Sequence, residues 1–132
     1  MQDNKIILKK EFKLWLDDIR PAPPGWLYTN NVKDAIWATE NYNIVEMSLD
    51  HDLGLKNDKF EEYTTSETDL DINDYEETGY DFCLWLTKNN IWPQKITVHS
   101  SNLVGAERML SIIEKHMPNS KRLGQVVENE IN

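Results

Sequence analysis

Two short apolar runs that break off into carboxylates constrain this fold more than any other feature. Lys13-Leu-Trp-Leu runs directly into Asp17-Asp18, and Ile44-Val-Glu-Met-Ser-Leu into Asp50-His51-Asp52. An apolar run too short for a buried helix, ending abruptly in charge, reads as an interior strand that surfaces at a polar sheet edge. A third run, Lys95-Ile-Thr-Val-His-Ser-Ser101, repeats the plan with a histidine and two serines in place of acids.

The stretches between these strands alternate with them. Asn31 is a capping residue, and the segment it opens sets Val32, Ala35, Ile36 and Thr39 at helical spacing. Thr78 opens a second helical pattern through Asn89, and Leu103 to Met117 forms a third with Met109, Ile112, Ile113 and His116. Strand and helix in alternation call for a mostly parallel sheet, in which ligands gather beyond the carboxyl ends of the strands. The chain is therefore expected to be a single α/β domain over residues 1–132, with its core at about 13–117.

Two connections are irregular. Ile19-Arg-Pro-Ala-Pro-Pro-Gly-Trp26 has three prolines and bars a crossover helix, and Trp26-Leu-Tyr28 after it reads as an edge strand of unassigned partner. The stretch at about 55–77 is acidic, lacks periodicity and is long for a loop, so a lid and an inert insertion both fit. The tail after Met117 has one short apolar patch, Val126-Val127, and is expected to fray.

The formal charge of −9 opposes binding to a long nucleic acid, whose affinity comes largely from lysine and arginine. Two lysines and nine acids between Lys56 and Glu77 account for most of that charge, so it does not describe the strand ends. No apolar run reaches membrane-spanning length, the opening residues lack a signal-peptide core, and a cytoplasmic location is expected. The single cysteine, Cys83, sits in a helical pattern and reads as a core residue.

Carboxylates brought together at two neighbouring strand ends repel, so either one is protonated or a cation sits among them. Asp17, Asp18 and Asp50 are candidate ligands for Mg2+ or Mn2+, which favour a few carboxylates with retained waters. The competing reading is that each aspartate at a strand end merely faces water, against which stand two acidic pairs ending two apolar strands. His51 enters such a site if the strand breaks before it and stays outside if alternation persists. His99 reads equally as a general acid or base and as a hydrogen-bonded structural histidine. Ser100, Ser101 and Asn102 precede a helix whose free N–H groups favour an anion, although capping alone explains the residue types. Arg20 either pairs with the acids or holds a phosphate in a fork. Trp26 or Tyr63 either stacks on a base or packs against the domain.

The layout of Asp17-Asp18, Asp50 and Ser100 resembles the receiver domain of two-component signalling. The resemblance implies a flavodoxin-like three-layer fold, shortened here, with a Pro-rich loop replacing the first crossover helix. It also implies magnesium on the three aspartates. No strand ending in Lys-Pro follows, which argues against ordinary phospho-acceptor signalling. The motifs LWLDDIRPAPPGW, SLDHDLG, TGYDFCLWL and VHSSNLVGAERM more closely resemble the cyclic-phosphate-processing receiver domains, a group associated with nucleotide-signalling defence systems. That resemblance implies metal-dependent hydrolysis or other processing of a cyclic phosphate. In this scheme Asp50, His99 and His51 are catalytic, and Arg20, Ser100, Ser101 and Asn102 contact the substrate. The alternatives are a module that binds or sequesters a cyclic nucleotide without turnover, and a receiver-like protein-interaction module. Gly79 and Asp81 of TGYD are assigned helix entry only.

Overall fold

The computed structural model describes residues 10–54 and 76–130. Strand β1 (Glu11–Leu16) leads through a loop to β2 (Trp26–Thr29), followed by helix α1 (Val32–Asn41) and β3 (Asn43–Leu49). After the undescribed stretch come α2 (Gly79–Asn89), β4 (Lys95–Val98), α3 (Leu103–His116), β5 (Ser120–Leu123) and β6 (Val126–Asn129). The six strands form one sheet in the order β2-β1-β3-β4-β6-β5. The first four are parallel; β6 runs antiparallel to β4, and β5, antiparallel to β6, runs again in the direction of the first four.

Register and alternation divide the sheet into two unlike faces. Leu14, Met47, Ile96 and Val127 stand level across β1, β3, β4 and β6, with Leu16, Leu49 and Val98 one step on. All seven are fully buried. Ala35, Phe82, Leu86, Met109, Leu110 and Ile113 of the helices complete this core. Helix α1 packs on α2, and α2 on α3, so the three described helices line one face. Right-handed crossovers all stepping in one direction along the sheet put them there.

The opposite face carries no described helix. There Lys13, Glu46, Lys95, Glu128 and Lys121 form one cross-strand row of alternating charge. Glu46 lies 3.9 Å from Lys13 and 3.8 Å from Lys95. The next row is Tyr28, Trp15, Ser48, Thr97, Val126 and Leu123.

The helix starts follow from side chains that accept orphan backbone N–H groups. Asn31 accepts from the Asp34 N–H at 2.8 Å, and Asn102 from that of Gly105 at 2.9 Å. Thr78 and Asp81 cap α2 reciprocally, the Asp81 carboxylate accepting from the Thr78 N–H at 2.8 Å. This is the helix entry expected of the TGYD motif.

The tail corrects its sequence reading. Val126-Val127 belongs to a β-hairpin turned at Gly124, with φ at +62°, and Val127 is fully buried. A glycine opening a two-residue link is the hairpin signal, and pairing with β4 supplies the order that a lone apolar patch does not. The edge strand at Trp26 gains its missing partner, β1, in parallel register. Of the acidic insertion, residues 55–75 and hence Tyr63 lie outside the described residues. The chain on either side closes, with the Glu76 N–H donating to the Gly54 carbonyl at 2.8 Å.

Candidate metal and phosphate site

Parallel hydrogen bonding continues past the strand ends and sets the first loop residues side by side. The Asp17 N–H donates to the Thr29 carbonyl (3.1 Å), that of Asp50 to Leu16 (2.9 Å) and that of His99 to Leu49 (3.0 Å). Consequently Asp17, Asp18 and Asp50 offer three carboxylate oxygens within 4.8 Å of one another.

The three acids are held differently. Asp17 is 1% exposed, and its Oδ1 accepts from the backbone N–H groups of Ile19 (2.8 Å) and Arg20 (3.0 Å), which curls the loop. Asp17 Oδ2 lies 2.9 Å from His99 Nε2 and 4.0 Å from the Arg20 guanidinium. Asp50 accepts from the His51 N–H at 2.8 Å. Burial, and then the charges of Asp17, Asp50 and Asp52, push the Asp18 carboxyl above its usual range. An all-oxygen cluster in which burial and like charge oppose the ionised form of Asp18 fits a hard divalent cation.

His99 joins this group rigidly. Its Nδ1 lies 2.7 Å from Ser48 Oγ, and its ring stacks on Trp15 at 4.2 Å between centroids. Trp15 in turn donates from Nε1 to the Arg20 carbonyl at 3.0 Å, and Arg20 donates to the His99 carbonyl. Arg20 therefore ties the loop after β1 to the loop after β4. Ser48 and Trp15 escaped the sequence reading, although they are register partners on one strand face, which their alternation with Leu14, Leu16, Met47 and Leu49 implies.

A second cluster forms at the start of α3. His51 Nδ1 lies 2.7 Å from Asp52 Oδ1, and Asn102 donates to the same carboxylate at 3.2 Å. The His51 bond, then that of Asn102, holds the Asp52 carboxyl below its usual range. The His51 ring lies flush on the helix at Gly105, where a Cβ would meet it at 2.5 to 2.9 Å. His51 thus belongs with Asp52 and Asn102, while His99 and Arg20 stand with Asp17. Ser100 is buried and accepts the Asn102 N–H at 3.1 Å, and Ser101 is exposed. Trp26 packs edge-on against Trp15 with the Lys13 ammonium over its ring.

Gly79 is a structural requirement that the sequence left as mere helix entry. A Cβ there would overlap the Asp50 carbonyl and lie 2.7 Å from Met109 Cε, and the Gly79 N–H donates to the His51 carbonyl at 2.9 Å. The start of α2 is thereby pressed against the loop that carries Asp50.

A parallel sheet with three aspartates at adjoining strand ends defines a receiver-like α/β protein. Residues 12–115 match the family described as cyclic-phosphate processing Receiver domain, and the chain belongs to that family. No curated protein and no solved structure matches it. No described helix is long and apolar enough to cross a membrane.

Proposed function

We propose that this chain hydrolyses a cyclic phosphate, most simply one ester bond of a cyclic nucleotide, in the cytoplasm and in the pocket of Asp17, Asp18 and Asp50. The observation that carries the reading is the convergence of these three carboxylates within 4.8 Å in a member of a cyclic-phosphate processing family. Asp17, Asp18 and Asp50 would hold Mg2+ or Mn2+, which when bound supplies a Lewis acid and a lowered pKa for water.

The remaining residues divide the work. Asp17 is fixed by two backbone donors, so its other oxygen keeps a constant direction. In the hydrolytic reading His99 would give up its contact with Asp17 Oδ2 and carry a proton from the attacking water to the ester oxygen that leaves phosphorus. His51, with its ring oriented by Asp52, is the second proton carrier. Arg20, Ser100, Ser101 and Asn102 neutralise charge developing on the phosphoryl oxygens.

One observation favours binding without turnover. Both ring nitrogens of His99 already have partners, which leaves it no free position for a substrate proton. A single experiment separates the two readings. The protein is incubated with cyclic mono- and oligonucleotides and with 2′,3′-cyclic phosphates, with Mg2+, Mn2+ or chelator, and the mixtures are chromatographed. Hydrolysis predicts metal-dependent product that disappears in Asp50→Asn. Intact ligand retained in stoichiometric amount supports the binder, and neither product nor retention refutes both.

A further inference from the structure

The three most exposed large hydrophobic side chains among the described residues all lie in or directly after the loops at the carboxyl ends of β1 and β4: Ile19 at 83%, Leu103 at 74% and Val104 at 73%. Ile19 directly follows Asp18, and Leu103 and Val104 form the first turn of α3 directly after Asn102, which holds Asp52. The loops that carry them form one connected rim. Arg20 and Asp17 bind His99 across the β1 and β4 loops, and Asp52 binds Asn102 across the β3 and β4 loops.

Below the rim lies the packed core of the described residues. Leu16, Leu49 and Val98 precede the three loops and are 0% exposed. A ligand whose phosphate lies at the aspartates can therefore extend only outward, across the rim. Apolar side chains kept in water at that position suit a flat, weakly polar group rather than a polyol.

Charge restricts the ligand further. Over residues 17–25, 50–54 and 99–102 four carboxylates, Asp17, Asp18, Asp50 and Asp52, face one guanidinium, Arg20. With one divalent cation bound the rim remains negative, so each phosphate after the first is repelled.

Resting on the proposed cyclic-phosphate reading, the geometry points to a nucleoside cyclic monophosphate as the ligand, its base held by Ile19 on one side of the pocket and Leu103 and Val104 on the other. These are specificity residues. They sort ligands by the group attached to the phosphate and leave the phosphate chemistry alone.

The test is a calorimetric titration of the full chain with Mg2+, using KM in place of Kd where product accumulates. The proteins are wild type, Ile19→Ser and the double variant Leu103→Ser/Val104→Ser. The probes are adenosine 2′,3′- and 3′,5′-cyclic phosphates, cyclic di-AMP and myo-inositol 1,2-cyclic phosphate. Wild type is expected to prefer one of the adenosine cyclic monophosphates at least about tenfold over the other two classes. Each rim variant should weaken that probe by roughly ten- to thirtyfold, the loss expected from removing partial apolar burial, with inositol cyclic phosphate and the urea midpoint unchanged. Rim variants that bind the adenosine probe like wild type, or a wild type that prefers inositol cyclic phosphate or cyclic di-AMP, overturn the inference while leaving cyclic-phosphate binding intact. No binding of any probe by wild type overturns the cyclic-phosphate reading itself.

Discussion

Replacing Gly79 with alanine tests whether the start of α2 positions the Asp50 loop. The added Cβ would lie 2.7 Å from Met109 Cε and 3.0 Å from the Asp50 carbonyl carbon, and it would overlap the carbonyl oxygen. Ordinary contact begins near 3.4 Å, so relief needs a backbone shift on the order of 1 Å. Asp50 cannot retreat freely, because its N–H is bonded to Leu16 and its carboxylate to the His51 N–H. Moving α2 instead stretches the bond from the Gly79 N–H to His51. Overpacking costs about 1–3 kcal/mol and a lost hydrogen bond about 0.5–1.5 kcal/mol. Alanine's helix preference returns up to about 1 kcal/mol, and less at a first helical position. The net expectation is a loss of about 2–3 kcal/mol, which lowers the urea midpoint by roughly 1–2 M. Unfolding is followed by far-ultraviolet circular dichroism, and divalent-cation affinity is measured in parallel and should fall as Asp50 is displaced. Gly25→Ala is the control: its φ is +89° with nothing within 4 Å, so only backbone strain of about 1–2 kcal/mol applies and cation affinity stays. A Gly79→Ala protein as stable as wild type would refute the close approach.

Other outcomes follow from the same geometry. The Asp18 carboxyl is raised in the folded state, so its charge destabilises the fold above that raised pKa, and the penalty fades as pH falls through it toward the unfolded value. Asp18→Asn should accordingly raise the urea midpoint at pH 7 more than at pH 4, and saturating Mg2+ should abolish the difference; an equal gain at both pH values contradicts this. In Gly105→Ala the obstacle is the His51 ring, which can swing away, so stability changes by less than in Gly79→Ala. The Asp52 carboxyl, freed from its first partner, should then titrate higher by carboxyl-carbon NMR. Complete burial pushes the Cys83 thiol far up, so it should react with a thiol reagent only after unfolding; prompt labelling of the native chain would show the helix packing to be wrong.

Periodicity and punctuation made most of the frame legible. Leu14 and Leu16 before Asp17, Met47 and Leu49 before Asp50, and Ile96 and Val98 before His99 declare buried strands by alternation, and Asn31, Thr78 and Asn102 declare helix starts by their side-chain chemistry. The same pattern locates the aspartate cluster, because equivalent strand ends meet in a parallel sheet. The hairpin was missed although Gly124-Gln125 carries its turn signal, because Val126-Val127 is too short to specify a strand without β4 beside it. Pairings across the sheet were also hidden: Ser48 and Trp15 reach His99 only once three strands are in register. The interplay of His51 with Gly105 depends on how α3 descends onto the loop, a tertiary matter that local spacing does not record.

The antiparallel hairpin has a consequence for solubility. A parallel sheet ending at β4 would offer the unpaired backbone of Lys95-Ile-Thr-Val98 to any passing strand, the template from which aggregates grow. Strand β6 satisfies that edge, and the new outer strand, Ser120-Lys-Arg-Leu123, is four residues long with two cations in its middle. Short and charged, it makes a poor template. Residues 120–129 thus replace an apolar sheet edge with a short, charged one.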